Sequence, residues 1–158
     1  MGTRGLFGFY YKGKYYVVYN HFDSYPSYLG RNIVKEIKES IKNDSFKEWI
    51  EKLLKLKIVY ENQQENPTEE DIKKLTNYKN LSVSYKLTSD WYCLLRGCQG
   101  SLINVLESGY ILLHLDENQT PIWQEYAYII NFDTNKLDFY EGYHLEENYS
   151  FDELPDWD

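Results

Sequence analysis

RGLFGFYYKGKYYVVYN, residues 4–20, is the stretch whose reading decides the fold. Two runs rich in Phe, Tyr and Val, residues 4–11 and 14–20, flank Lys12-Gly13, and β-forming runs that double back through a turn glycine predict a β-hairpin. Apolar and aromatic side chains occupy both alternating sets, so strict in-and-out alternation fails. A strand covered on both faces has that pattern. The motif recurs late in the chain, where WQEYAYIINF at 123–132 turns through Asp133-Thr134-Asn135 into KLDFY at 136–140 and predicts a second hairpin.

Between the hairpins the period changes. Ile33, Ile37 and Ile41 recur every four residues beside Val34, with lysines and glutamates between, which predicts an amphipathic helix. Ser45 followed by Glu48 reads as a capping box opening a second helix whose apolar stripe is Phe46, Trp49, Ile50, Leu53 and Leu54. Residues 61–67 form a polar loop, and Thr68 to Asp71 start a short third helix with Ile72 and Leu75 facing inward. Leu81, Val83, Tyr85 and Leu87 alternate as in a strand, and Ser89-Asp90-Trp91 caps a short helix that Gly97 and Gly100 terminate. Residues 102–106 and 110–115 are apolar and fit either state. Hairpins at the ends with helices between them predict one α+β domain over residues 1–158: an antiparallel sheet built from the N-terminal and C-terminal hairpins, with helices packed on a face, rather than a βαβ parallel sheet.

Composition narrows the function classes. The chain has 158 residues, 42% of them hydrophobic, enough for one buried core. No run reaches the roughly 20 apolar residues of a membrane span, and the opening lacks the apolar core of a secretory signal; the expectation is a cytoplasmic protein with no membrane association. Cys93 and Cys98 lie five apart, neither a redox pair nor half of a zinc site, and are expected to be free thiols. Of the seventeen basic residues only Arg4, Arg31 and Arg96 are arginines. The net charge of −8 is concentrated at the end, because residues 141–158 hold seven acids and no base while the preceding 140 residues carry 17 bases and 18 acids. Residues 31–57 carry eight bases against five acids. This acidic balance, with nothing in the sequence that resembles the contiguous basic stripe phosphate-backbone binding needs, argues against nucleic acid as a partner. Six apolar side chains in 141–158, among them Tyr149, Phe151 and Trp157, predict that the acidic segment docks on its own chain rather than staying solvated.

The opening MGTRGL, the run YNHFDSYP at 19–26 with Leu29-Gly30 after it, and the late YIINFD at 128–133 resemble an uncharacterised family found among fungal, phage and large DNA virus proteins. The first thirty residues carry most of the resemblance. It marks the N-terminal segment as a distinctive site, implies a viral source and a host-cytoplasm location as one expectation, and lends no reaction.

That segment is chemically dense by its residues alone. Asn20, His21, Asp23, Ser24 and Tyr25 place an amide, an imidazole, a carboxylate, a hydroxyl and a phenol at the end of one strand, with Pro26 stiffening the exit. The same residue types are also standard turn formers, and Arg4 is expected to pair with Asp23. Arg96 and Gln99 sit at a glycine-flanked helix end, where Arg96 either caps the last carbonyls or joins Arg4 and Arg31 in clamping an anion through bidentate geometry that lysine lacks.

The leading expectation is a non-catalytic protein that binds a small polar or anionic molecule, or a partner protein, through Arg4, Asn20, His21, Asp23, Ser24, Tyr25, Arg96 and Gln99. No cofactor and no metal are called for, since His21, His114 and His144 have no ligand-pair spacing. The alternative is an amide hydrolase of the N-terminal-nucleophile kind. Such enzymes resemble this chain in opening on a hairpin followed by an Asn and an Asp, here Asn20 and Asp23, but removal of Met1 exposes Gly2 and a nucleophile at Thr3 requires loss of a further residue. A triad of Ser24, His21 and Asp23 fails because three neighbours in a turn cannot align in series.

Overall fold

In the computed structural model, which describes residues 3–61, 65–80 and 90–157, both hairpins form where alternation and turn chemistry place them. The first comprises β1 (Gly5–Tyr11) and β2 (Lys14–Asn20), joined by Lys12 and Gly13, both at positive φ. A turn of that hand matches the twist of its strands. The second comprises β5 (Tyr126–Asn131) and β6 (Lys136–Glu141); Asn131 Oδ1 accepts the N–H groups of Asp133 and Thr134 and closes its turn. The Asp133 carboxylate accepts the N–H groups of Lys12 and Gly13 at 2.7 and 3.0 Å, tying one turn to the other.

The α+β class and the two hairpins stand as expected, but the sheet is mixed rather than antiparallel. β1 lies parallel to β5, with Gly5 opposite Tyr126 and Tyr10 opposite Asn131, and the strand order is β2-β1-β5-β6-β7, where β7 is His144–Ser150. A turn sets direction within a hairpin, whereas the connection between hairpins sets how they meet. A parallel joint needs a long crossover, and the helical middle of the chain provides one. A second parallel pair, β3 (Lys57–Tyr60) with β4 (Tyr110–Leu113), sits beyond the edge of β2, where the His114 N–H bonds the Val17 carbonyl at 2.9 Å.

The interior strand β1 is covered on both faces, as its composition predicts: Leu6, Phe7 and Phe9 are all fully buried. Two helices cover the Phe7–Phe9 face. α1 (Arg31–Lys42) turns in Ile33, Val34 and Ile37, while Ile41 at its end is exposed. α2 (Phe46–Lys55) sets Trp49 edge-on against Phe9, 6.4 Å between ring centres. The expected capping box at Ser45 is absent: Ser45 has helical rather than extended backbone angles and its side chain makes no cap bond, because its N–H is still held by the Ser40 carbonyl in the turn leaving α1. A capping box does open α3 (Glu69–Lys74), where Thr68 and Asp71 exchange side-chain and backbone bonds. Leu75 is fully buried and Ile72 half-buried. Asp90 caps α4 (Trp91–Leu94), and the strand expected over 81–87 lies outside the described residues, as does Ser89.

The ambiguous run at 102–106 is α5 (Leu102–Ser108), and a distant carboxylate caps it. Glu36 of α1 accepts the Ser101 hydroxyl at 2.6 Å and the N–H groups of Leu102 and Ile103 at 2.7 and 3.3 Å. Burial pushes its carboxyl up, against the pull of these three bonds. The acidic C-terminal segment follows β6 as the edge strand β7, then folds back over the helical face. Phe151 meets Phe46 at 4.9 Å, and Trp157 packs among Tyr128, Phe139 and Tyr149 at 5.5, 5.1 and 5.7 Å. Gly30 makes this seat possible, since a Cβ there would come within 2.7 Å of the Trp157 ring.

Candidate functional site

The side chains at the ends of β2, β3 and β4 converge on Tyr19. On β2, Tyr15, Val17 and Tyr19 share one face and Tyr16, Val18 and Asn20 the other. The last two residues of the strand therefore diverge, with Asn20 turned toward Ser24 and Tyr19 toward His21 and His114.

Asn20 and Ser24 are a buried structural knot. Asn20 Nδ2 donates to Ser24 Oγ at 2.8 Å and to the Phe22 carbonyl at 2.7 Å. The Ser24 N–H bonds the Thr3 carbonyl, and the Ser24 carbonyl accepts the Tyr128 hydroxyl at 2.7 Å. Ser24 lies so close to β1 that a Cβ on Gly5 would stand 2.6 Å from its own Cβ. These bonds fix the turn to the middle of the sheet and leave neither side chain open to a ligand.

Asp23 is exposed, with left-handed backbone geometry (φ 54°), and its carbonyl accepts the Leu29 N–H. The expected Arg4–Asp23 ion pair does not form among the described residues. The turn that satisfies Leu29 carries the Asp23 side chain into solvent, and Arg4 is itself exposed, its backbone N–H reaching Glu125. Tyr25 is also exposed, with its ring 5.9 Å from Tyr126.

His21, Arg96 and Gln99 do come together, and the charge of Arg4 acts on the same imidazole. Gln99 Oε1 accepts the backbone N–H of His21 at 2.9 Å, tying the chain after β2 to the turn that follows α4. Tyr19 Oη and His21 Nδ1 are 2.8 Å apart. The Arg96 guanidinium lies 5.7 Å from the centre of the Phe22 ring, and its buried Nε has no acceptor among the described residues. Burial lowers the His21 pKa, and the positive charges of Arg4 and then Arg96 lower it further. Burial raises the Tyr19 pKa; Arg4 and Arg96 pull against that rise, while Tyr92 and Glu61 add to it. Both shifts favour the uncharged forms, a protonated phenol beside a neutral imidazole. Among the described residues no carboxylate forms an ion pair with either Arg4 or Arg96.

A second histidine flanks Tyr19 from β4. His114 stacks at a tilt 5.1 Å from the Tyr19 ring, pairs through Nδ1 with Glu61 Oε2 at 2.7 Å and lies 3.3 Å through Nε2 from Gln124 Nε2. Residue types alone did not single out Tyr19, Glu61, His114 and Gln124 as a group. The available signal was that Glu61 and His114 each follow an apolar run, and so stand at the carboxyl ends of adjacent parallel strands, where polar groups gather. Arg31 lies apart, lining a groove along α1, and His144 stacks on Tyr143 at the start of β7. No group of three or more His, Cys, Asp or Glu among the described residues could hold a metal ion.

Behind Tyr19 is a cavity of about 20 Å³, lined by Tyr92, Cys98, Gln99 and Tyr110 among others. It has room for about one water molecule. Cys93 and Cys98 are buried and not disulfide-bonded, and burial pushes the Cys98 thiol up to about 11. Compared with protein-family models, curated proteins and solved structures, the chain matches none. No helix among the described residues is long and apolar enough to cross a membrane.

Proposed function

We propose that this chain is a non-catalytic binding protein for a small anionic molecule bearing a phosphate or carboxylate, held between Arg4 and Arg96 beside His21. One observation carries the reading: the Arg96 guanidinium lies 5.7 Å from the Phe22 ring, which itself packs 4.4 Å from His21, and its buried Nε has no acceptor among the described residues, while the charges of Arg96 and Arg4 act on the same imidazole. Guanidinium groups present planar forks suited to oxyanions, and a buried donor such as Arg96 Nε left without an acceptor is costly unless a ligand supplies one. Gln99 and Tyr19 position His21, and the exposed Phe22 ring orients Arg96.

An anion between the two arginines cancels the charge that depresses the His21 pKa. Titrating inorganic phosphate, then adenosine monophosphate and citrate, into the protein while following the His21 ring by NMR is expected to raise that pKa. Arg96→Gln and Arg4→Gln should each raise the starting pKa and weaken the response. A His21 pKa unmoved by any of the three anions would refute the assignment.

The alternative, an amide hydrolase acting through Thr3, has one observation in its favour: the Thr3 hydroxyl is buried at the start of β1 and has no partner among the described residues. Such a nucleophile needs a free amine beside it. An intact mass corresponding to a chain that starts at Thr3 would support it.

A further inference from the structure

Arg31, Lys35, Lys38 and Lys42 follow one another along α1 at spacings of four, three and four residues, which places them in one stripe on the helix surface. The stripe borders a groove of about 510 Å³ whose other wall is Pro155, Asp156 and Trp157, from the segment that folds back after β7. In a chain of net charge −8, the described residues lining this groove include Lys35, Lys38 and Lys42 beside Arg31, against the carboxylates of Glu39 and Asp156.

We propose that the groove is a docking site for an acidic peptide segment of a partner protein, lying along α1 with one large apolar side chain against Trp157. Charge complementarity argues for an anionic occupant, and the donor chemistry argues for a peptide over a compact phosphate. Lysines are hydrated point charges on flexible stems that attract without fixing orientation. Mid-helix backbone N–H groups are spent inside the helix, so the groove lacks the backbone nest that cradles a phosphate. From Arg31 to Lys42 the stripe spans roughly 16 Å at 1.5 Å per residue, about the length of five extended residues. In such a segment every second side chain faces the helix at a repeat of roughly 6.6 Å, close to the 5.4 Å pitch that separates the lysines. Asp156 already places one carboxylate in the same groove. The groove shares no lining residue with the Arg4–His21–Arg96 cluster.

The test uses the full chain and a fluorescent synthetic peptide of about ten residues, alternating Glu with small residues around a central Phe, read by anisotropy. A matched peptide with Gln in place of Glu, and inorganic tripolyphosphate as competitor, complete the probes. The acidic peptide is expected to bind saturably at low ionic strength and to weaken by about ten-fold or more when added salt shortens the screening length. The Gln peptide should not bind. The triple variant Lys35→Glu, Lys38→Glu and Lys42→Glu should lose the acidic peptide while keeping the parent melting temperature, since all three side chains are exposed. If reversal disturbs the fold, the corresponding Gln variant provides the same reading. Arg96→Gln should bind the peptide like the parent, which separates this site from the N-terminal cluster. Equal binding of the Gln peptide, unchanged binding by the triple variant, or full displacement by tripolyphosphate at concentrations where the peptide itself fails to saturate would each overturn the proposal.

Discussion

Strand β4 links two polar centres of opposite character. At its start Tyr110 belongs to a closed charge knot: the buried Asp71 carboxylate accepts the Tyr110 hydroxyl at 2.6 Å, the Thr68 N–H at 2.9 Å and the Lys57 ammonium at 3.2 and 3.3 Å. Lys57 also lies over the Trp91 and Tyr110 rings at 5.8 and 5.7 Å. Just past its end, His114 faces Tyr19 and the cluster in which Arg4 and Arg96 have no ion-pair partner among the described residues. Burial alone would push Asp71 up, but the Tyr110, Thr68 and Lys57 bonds outweigh it and hold the carboxyl at about 2. A buried charge whose partners all come from the chain stabilises the fold, whereas charge left unmatched is available to something outside it.

The largest expected effect comes from breaking the closed centre. Asp71→Asn should destabilise the protein by about 2 kcal/mol, because a charge-assisted acceptor of several buried donors is lost. Chemical denaturation of parent and variant measures it. The Asp71 carboxyl has a lower pKa folded than the usual 3.8, so its contribution is fully present above about pH 4 and is lost as the pH falls toward 2. The variant should therefore show a shallower loss of stability across that window. A parallel acid profile would mean that Asp71 is not the group responsible.

A smaller effect is expected from Tyr110→Phe, which removes one donor and leaves the Thr68 and Lys57 bonds: about 1 kcal/mol by the same measurement. A cost as large as that of Asp71→Asn would show that the hydroxyl, rather than the ammonium, dominates the knot.

The smallest effect on stability should come from the open centre. Arg96→Gln is expected to shift the unfolding free energy by no more than about 0.5 kcal/mol, the range for side chains without buried bonded partners, and to abolish most of the phosphate response of His21. A large stability loss would remove the contrast and make Arg96 a structural residue.

The C-terminal segment shows why some features could be read early and others could not. Its apolar residues, Phe151 and Trp157 among them, indicate burial by type alone, and both pack on the core. That residues 144–150 pair as a strand is less legible, because His144 to Asn148 are all exposed and only Leu145 among them is apolar, and an edge strand draws on backbone bonds to β6 rather than on an apolar pattern. Ser45 illustrates the converse. Its spacing to Glu48 suits a capping box, yet the turn leaving α1 fixes its backbone in a conformation from which the hydroxyl cannot cap.

The candidate site divides in the same way. His21, Arg96 and Gln99 were recognisable as an imidazole after a strand and an arginine and amide at a glycine-flanked helix end, and they meet. Asn20 and Ser24 come from the same segment and belong to the turn, because alternation along β2 sends Asn20 to the face opposite Tyr19.

By itself the sequence determined the two hairpins, the amphipathic helices and the α+β class, since each depends on local alternation, turn chemistry and a 3.6-residue period that neighbours in the chain enforce. Only the tertiary structure decided that the hairpins join in parallel, that Glu61 and His114 flank Tyr19, and that Gln99 is brought to His21. Those outcomes depend on how a long crossover returns and on which side chains from remote strand ends then share a volume, and no local pattern encodes that geometry.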